Sequence, residues 1–448
     1  MADEWVPSNK ASSEIAWEGP KAVREDLPSV AVMPFVDLSP ERLEGHFCEG
    51  LAEEVLQGLN KVEGLKVLSR TSSFLYKDAD LPAEEICRRL GVQHLLVGSL
   101  RKDAGHLSLK VELVSPAAPS LIWSERFERE RSDVFSLVAD IVGSIASVLR
   151  LEASGPRRPP VDLEAYDRYL KGRQYYFRFH RHGMRFASQM FQEAIGLDPG
   201  FAAAWAGLAL CAAYLYIYVD RSEDHREEAL SASGRALELD PALAEAHVSR
   251  GVALSAAGRS EEAEAAFEAA LRLDPDLYEA YYFFARHCFA AGKTEMAIQY
   301  FEWAAAVRPE DFQAVLLVAQ AYDSLGVSDE AEAARRRGLA LVEGRLRHVP
   351  EDARARYLGA NALVALGERE KGLAWARMAR SLDPEDSMLL YNLGCIHALA
   401  GDPEEALDCL VRAVAAGLTE KNWFLHDGDL ESLRQHPRFL ELLRTLDA

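Results

Sequence analysis

Residues 244–277 read AEAHVSRGVALSAAGRSEEAEAAFEAALRLDPDL, and this stretch decides the fold. Gly251 falls where a first helix must pack closely; Ala263, Phe267 and Ala270 fall on a second helix; Pro275 closes the unit. The next unit holds Ala285, Ala297, Phe301, Ala304 and Pro309 in the same places. Upstream, Trp205, Leu208 and Ala209 precede Ala229, Ala236 and Pro241; downstream, Leu393 and Gly394 precede Ala406 and Ala413. Small residues let two helices approach backbone to backbone, and large ones fill the gap between neighbouring hairpins. Proline cannot continue the second helix but suits the first turn of the next. Pro199, Pro241, Pro275, Pro309, Pro350 and Pro384 are separated by 42, 34, 34, 41 and 34 residues. That spacing predicts a stacked array of helical hairpins, a surface for holding something rather than a catalytic pocket.

The remainder of the chain reads differently. Residues 1–28 are polar and acidic and predict a disordered leader. SVAVMPFVDL (29–38) predicts a strand, and Phe47, Leu51, Val55, Leu56 and Leu59 a helix from Glu41 to Leu59. LKVLSR (65–70) predicts a second strand and PAEEICRRLG (82–91) a short helix capped by Gly91. Strands follow at 92–102, 106–115 and 121–130, the first two joined by an Asp103-Ala104-Gly105 turn, and then a helix from Asp133 to Leu151. Two crossovers followed by an antiparallel meander give a small mixed sheet. EASGPRRPPVD (152–162) reads as a linker, and hairpins are expected from 163 to 417. Residues 418–448 break the repeat but keep Trp423, Phe424, Leu430, Leu433, Phe439, Leu440 and Leu443, which predicts a segment capping the last hairpin. The expected architecture is a small α+β mixed-sheet domain followed by an all-α superhelix.

Composition narrows the function. A net charge of −21 disfavours nucleic acid and anionic membrane. No run approaches the ~18 apolar residues of a membrane span, and no secretory signal is visible. The six cysteines form no C-x-x-C pair and fall at apolar helical positions, so a reducing, cytoplasmic setting is expected. Neither a Gly-rich phosphate loop, a G-x-S-x-G elbow nor an H-E-x-x-H motif is present, so no catalytic residue, cofactor or metal is expected. Arg178, His180, Arg181 and His182 read as a solvated loop, because two histidines at i, i+2 lack a third ligand. The acids of GDPEEALD and of 259–268 suit helix N-termini. The HDGD acids at 426–429 resemble a metal loop with too few ligands for calcium.

The site is expected on the concave face. Projecting the register onto the first helix of each hairpin turns Tyr282, Arg286 and Phe289 inward, then Gln320 and Asp323, then Tyr357 and Asn361, then Tyr391 and Asn392. Aromatic bodies with polar tips suit a protein or peptide segment: area from the rings, hydrogen bonds from the amides. The alternative occupant is the chain's own tail or leader.

The A-x3-F-x2-A-x4-P phrase with its upstream small-residue step resembles the tetratricopeptide repeat, in about seven units over 163–417. The departures are three extra residues at FHRHG, about eight at YVDRSEDH, Arg335 and Gly338 on a second helix, and a seven-residue extension before Pro350, where the array is expected to bend or open. The lysine and asparagine set of the repeats that clamp chaperone tails is not assembled. Residues 29–150 resemble a TolB-like N-terminal domain through SVAVMPFVDLS, HFCEGLAEEVLQGL, LKVLSRTSSFLYK, ICRRLGVQHLLVGSLRKDAGHLSLKVELV and LIWSERFERERSDVFSL. Asp37 replaces the family's asparagine, and Val97 its glutamate. The resemblance implies a bacterial regulatory protein. Relatives place a cyclase, winged-helix or kinase module first, and with about 28 residues ahead of the domain that module is expected to be missing here. The expected function is a non-enzymatic adaptor or scaffold holding a protein partner in the groove, with the N-terminal domain as a second contact or self-association module. The rival is a ligand-sensing subunit controlling a separately encoded cyclase, kinase or transcription factor.

Overall fold

The computed structural model describes residues 27–39, 45–77, 81–103, 106–116, 121–130, 134–151, 162–176, 181–220, 222–418 and 420–446. The first apolar run forms two short strands, Ser29–Val32 (β1) and Val36–Asp37 (β2), rather than one. Pro34 has no amide hydrogen for a ladder and separates them. Then come Gly45–Asn60 (α1), Lys66–Val67 (β3), Arg70–Ser73 (α2) with a 3-10 turn at Phe74–Tyr76, and Ala83–Leu90 (α3). The expected strand over 65–70 is cut to two residues. The Ser69 hydroxyl accepts the Ser72 amide at 3.4 Å, and this cap starts α2 instead. His94–Asp103 (β4), His106–Val114 (β5), Leu121–Glu130 (β6) and Val134–Val148 (α4) complete the unit. Gly91, at φ 65°, ends α3 as its composition demands.

The sheet order is β3-β1-β4-β5-β6, with β2 also on β4. β1 runs parallel to β3 and β4, and β4, β5 and β6 are antiparallel, so the sheet is mixed. The pleat divides the core. Val30 and Val32 join Phe47, Leu51, Val55, Ile141 and Ile145 on one face, whereas Ala31 and Met33 join Ile86 and Cys87 on the other.

Seven hairpins follow among the described residues: Leu163–Tyr176 (α5) with Arg181–Leu197 (α6), Ala202–Tyr218 (α7) with Glu223–Leu239 (α8), Ala244–Ala256 (α9) with Ser260–Leu273 (α10), Tyr278–Ala290 (α11) with Thr294–Val307 (α12), Phe312–Ser324 (α13) with Ser328–His348 (α14), Ala353–Ala365 (α15) with Arg369–Leu382 (α16), and Ser387–Leu399 (α17) with Pro403–Ala415 (α18). Arg178 and His180 lie outside the described residues. Gly258, Gly292, Gly326, Gly367 and Gly401 turn each later hairpin at φ between 71° and 86°, where a side chain would be strained. At Gly251 the close approach is tight: an added Cβ would meet the Phe267 ring at 2.7 Å. Phe267 is fully buried there and stacks on Phe284 of the next hairpin at 5.2 Å. One glycine thus admits a ring that ties two repeats together; truncating such a ring costs ~3–5 kcal/mol.

The departures from the repeat place the array's long-range contacts. The extension before Pro350 is helical: α14 has 21 residues, and its end sets His348 against the Tyr76 ring of the N-terminal unit at 5.0 Å. The array does not open there. Tyr218, at the inserted YVDRSEDH, accepts a hydrogen bond at its carbonyl from Ser387 Oγ of α17. Gly417, at φ 110°, lies so close that an added Cβ would fall 1.7 Å from the Val219 carbonyl oxygen. The second hairpin therefore meets the seventh, and the superhelix closes on itself. The N-terminal unit docks on α5 through Leu170 against Gly50, His46 Nε2 to Asp167 Oδ1 at 2.6 Å, and an Arg173–Glu53 ion pair. Lys421–His426 (α19), a 3-10 turn at Gly428–Leu433 and Pro437–Thr445 (α20) form the tail. Arg438 of α20 pairs with Glu404 and Asp408 of α18.

Candidate functional site

The first helix of each hairpin lines the inner face, and part of that surface is covered. Residues 421–433 lie across it. At Gln320, Asn361 and Tyr391 the occupant is the chain's own tail, the alternative the sequence left open. Asp427 caps the 3-10 turn, its Oδ1 accepting the Asp429 amide at 3.0 Å. This turn points both carboxylates at the array. Asp427 Oδ2 accepts the Tyr391 hydroxyl at 2.8 Å and the Cys395 thiol at 3.6 Å. Asp429 Oδ2 accepts Asn361 Nδ2 at 2.6 Å and Gln320 Nε2 at 3.0 Å. Phe424 meets Tyr391 edge-on at 5.2 Å, and Phe424, Leu430 and Leu433 are fully buried.

Burial pushes Asp429 up to about 7, with the Asp427 charge adding to the shift. Burial also raises Asp427, Tyr391 and Cys395. Desolvation disfavours each charged form, and the amide, hydroxyl and thiol donors that meet these carboxylates are neutral. The Cys395, Asp427 and Asp429 ligand atoms lie within 4.8 Å of one another. The carboxylate oxygens face N–H, O–H and S–H donors, which suits an anion or a shared proton. A metal ligand would instead turn its lone pairs to the ion.

The other predicted residues are distributed as follows. Tyr282 and Tyr357 accept at their hydroxyls from Arg354, at 2.8 and 3.1 Å, and Gln313 Oε1 accepts from the same guanidinium. Asp323 pairs with Arg335. Asn392 bonds Met388 O in its own helix at 2.8 Å. Phe289 packs, half-buried, against the core of the third to fifth hairpins. Arg286 donates to the Tyr218 hydroxyl and lies over the Tyr218, Tyr282 and Trp423 rings, 5.6, 5.7 and 5.2 Å from their centres. Arg354 carried no signal in the sequence, and Asp427 and Asp429 read only as a loop with too few ligands for calcium. The two acids astride Gly428 were a visible signal, but nothing local said what they meet.

Beside Trp423 the inner face stays open. A cleft of about 680 Å³, counting the open solvent at its mouth, lies between α5, α7, α9, α11 and the start of the tail. Tyr176, Tyr214, Phe283 and Trp423 give it aromatic walls, and Arg286 and Glu420 also line it. His287, in the same lining, is held between Ser255 Oγ at 2.8 Å and Ser260 Oγ at 3.0 Å, and burial lowers its pKa.

Comparison with known proteins bears on two parts of the chain. Models of the tetratricopeptide repeat match residues 244–277 and 284–345. The chain carries tetratricopeptide repeats. A model of the HilA/YgeH-like transcriptional regulator second domain matches residues 25–145. A curated relative, "Putative adenylate cyclase 3" of Rhizobium meliloti (strain 1021), is 30% identical over 261 residues, 56% of this chain and 44% of that protein. The chain thus spans less than half the length of this relative. Among solved structures, a human IFIT1 dimer with m7Gppp-AAAA is 15% identical, at a TM-score of 0.45 over 69% of this chain and 73% of that one. YrrB, described as a TPR protein with an unusual peptide-binding site, is 20% identical at 0.28 over 48% and 98%. Among the described residues no helix is long and apolar enough to cross a membrane.

Proposed function

We propose that this chain is a non-enzymatic bacterial adaptor, a cytoplasmic regulatory scaffold that takes a segment of a partner protein on the inner face of its repeat array. The observation that carries this reading is the tail. The inner face already receives a chain segment through side-chain donors and rings, with Asp427 and Asp429 held by Tyr391, Asn361 and Gln320. A surface of this chemistry reads peptides. The open stretch around Arg286 is the partner's seat, and Tyr282 and Phe289 sit beside it on α11. The N-terminal unit, TolB-like in its phrases, supplies a second contact or self-association. Free, buried cysteines accord with a reducing compartment.

The test is affinity capture from lysate of the source bacterium, with the full chain and with Ala256→Trp, which fills the cleft from its half-buried rim. A protein retained by the first and lost by the second, with both folded, is the expected result. Equal capture by both would refute the inner-face reading. A second reading is a ligand-sensing subunit of a separately encoded cyclase, kinase or transcription factor. It is favoured by the relative whose name carries a cyclase and whose length exceeds the matched stretch. It requires a metabolite that raises the Tm of the full chain.

A further inference from the structure

We infer that the open cleft selects an acidic peptide: a bulky apolar side chain enters between the aromatic walls, and a carboxylate one or two residues away meets Arg286. This rests on the adaptor reading and adds the chemistry of the partner.

Several covered arginines of this chain meet carboxylates: Arg173 with Glu53, Arg308 with Glu279, Arg335 with Asp323 and Arg345 with Asp352; Arg354 instead meets the neutral oxygens of Tyr282, Tyr357 and Gln313. Among the described residues, no carboxylate pairs with Arg286. Its guanidinium has five N–H donors in a planar fork, and the phenol oxygens of Tyr218 and Tyr282 engage only part of them. The three rings around it supply attraction for a cation without consuming those donors. A guanidinium held at the wall of an apolar cleft is suited to bind a planar anion, and a carboxylate matches its fork.

The cleft is continuous with the seat of the tail. Trp423 is both a wall of the cleft and part of the segment that lies on the adjoining inner face. In that segment aromatic residues, Trp423 and Phe424, precede acids, Asp427 and Asp429, and each kind finds rings or donors on the array. A partner peptide laid beside it continues the same surface, with aromatic on aromatic and acid on donor. The net charge of −21 opposes an acidic partner at long range, and Glu420 opposes a second acid at the rim. Discrimination therefore comes from the contact with Arg286, and physiological salt favours the encounter by screening the wider field.

The experiment uses the full chain and a random seven-residue peptide library displayed on phage, with Ala256→Trp as the counter-selection target. The expected result is enrichment of sequences with Asp or Glu within two positions of Phe, Leu, Met, Trp or Tyr. In the best such peptide, Glu→Gln weakens binding at least tenfold, and Arg286→Gln on the protein does the same while leaving far-UV dichroism unchanged. If Arg286→Gln does not fold, the Glu→Gln exchange in the peptide and Ala256→Trp still decide. Enrichment of neutral or basic sequences, or none, overturns the inference. So does saturation by N-acetylphenylalanine without any preference among peptides, which marks a small-molecule site. Loss of partner capture in Ala256→Trp alongside neutral library winners would leave the adaptor reading standing and remove only the acidic specificity.

Discussion

Replacing Asp429 by Asn should flatten the pH dependence of the tail's docking. Asp429 is almost fully buried, and its carboxyl is pushed from 3.8 to about 7 by burial and by Asp427. Between those values the unfolded chain has released the proton and the folded chain still holds it. The contribution to stability is therefore full below about pH 4, falls as pH rises, and is exhausted above about pH 7. At ~1.4 kcal/mol per pH unit, the whole window has a ceiling of about 4 kcal/mol, and the part between pH 5.5 and 7 is about 2 kcal/mol. Asn is shaped like the protonated acid: its carbonyl oxygen accepts from Asn361 and Gln320, and its amide faces Asp427. Relative to the native chain, Asp429→Asn should gain about 2 kcal/mol between pH 5.5 and pH 8. Charged groups around the pair are Asp323, Arg335 and Arg434, with Tyr391 and Cys395 titrating far above this range. Repeat arrays do not always unfold in one step, so the measurement is amide hydrogen exchange of residues 418–446, corrected for intrinsic rate. Parallel pH profiles for the two proteins would refute the reasoning, because they would mean that Asp429 is ionised in both states.

Three more substitutions probe the architecture. Gly417→Ala drives a methyl into the Val219 carbonyl at a φ of 110°, and should destabilise by ~3 kcal/mol or more in urea titration, with loss of the contact between second and seventh hairpins. Phe267→Ala removes the ring shared by two hairpins and should cost ~3–5 kcal/mol, read as a fall in Tm and in the protection of α10 and α11. His46→Ala cuts the bond to Asp167, whose carboxyl is held low against its burial by His46 and Lys171; amide exchange of α1 and α5 should accelerate several-fold, reflecting ~1–2 kcal/mol of lost docking.

What the sequence disclosed follows from the range of the interaction behind it. The hairpins were legible because Gly251, Phe267 and Pro275 act on neighbours within one repeat, and a period of 34 writes the same contact down again and again. The sheet was legible through alternation, and its errors came where a local cap or a proline outweighed apolar propensity, at Ser69 and Pro34. The inner face was legible as a set of directions, because helical register fixes which way Tyr282, Gln320, Asn361 and Tyr391 point. What covers them was not. That depends on small rotations accumulated over seven hairpins, which bring Tyr218 to Trp423 and Asn361 to Asp429 across 68 residues or more. No local pattern encodes such a sum.

The irregularities carry the information that the period lacks. A stack of identical hairpins has nearest-neighbour contacts alone, and its ends are free to breathe. In this chain the lengthenings after α7 and in α14 reach past the neighbour. The insertion after α7 presents the Tyr218 carbonyl to Ser387 and its ring to Trp423. The extra turns of α14 bring His348 to Tyr76 of the N-terminal unit. The broken end of the array supplies two acids that fasten the tail inside. Each of these closes a loop of chain that an open solenoid leaves unconstrained, so the ring resists the flexing by which repeat arrays wrap large partners. A ring stiffened in this way, with part of its inner face already filled, is suited to a short segment at a fixed position, and the cleft at Arg286 offers such a space.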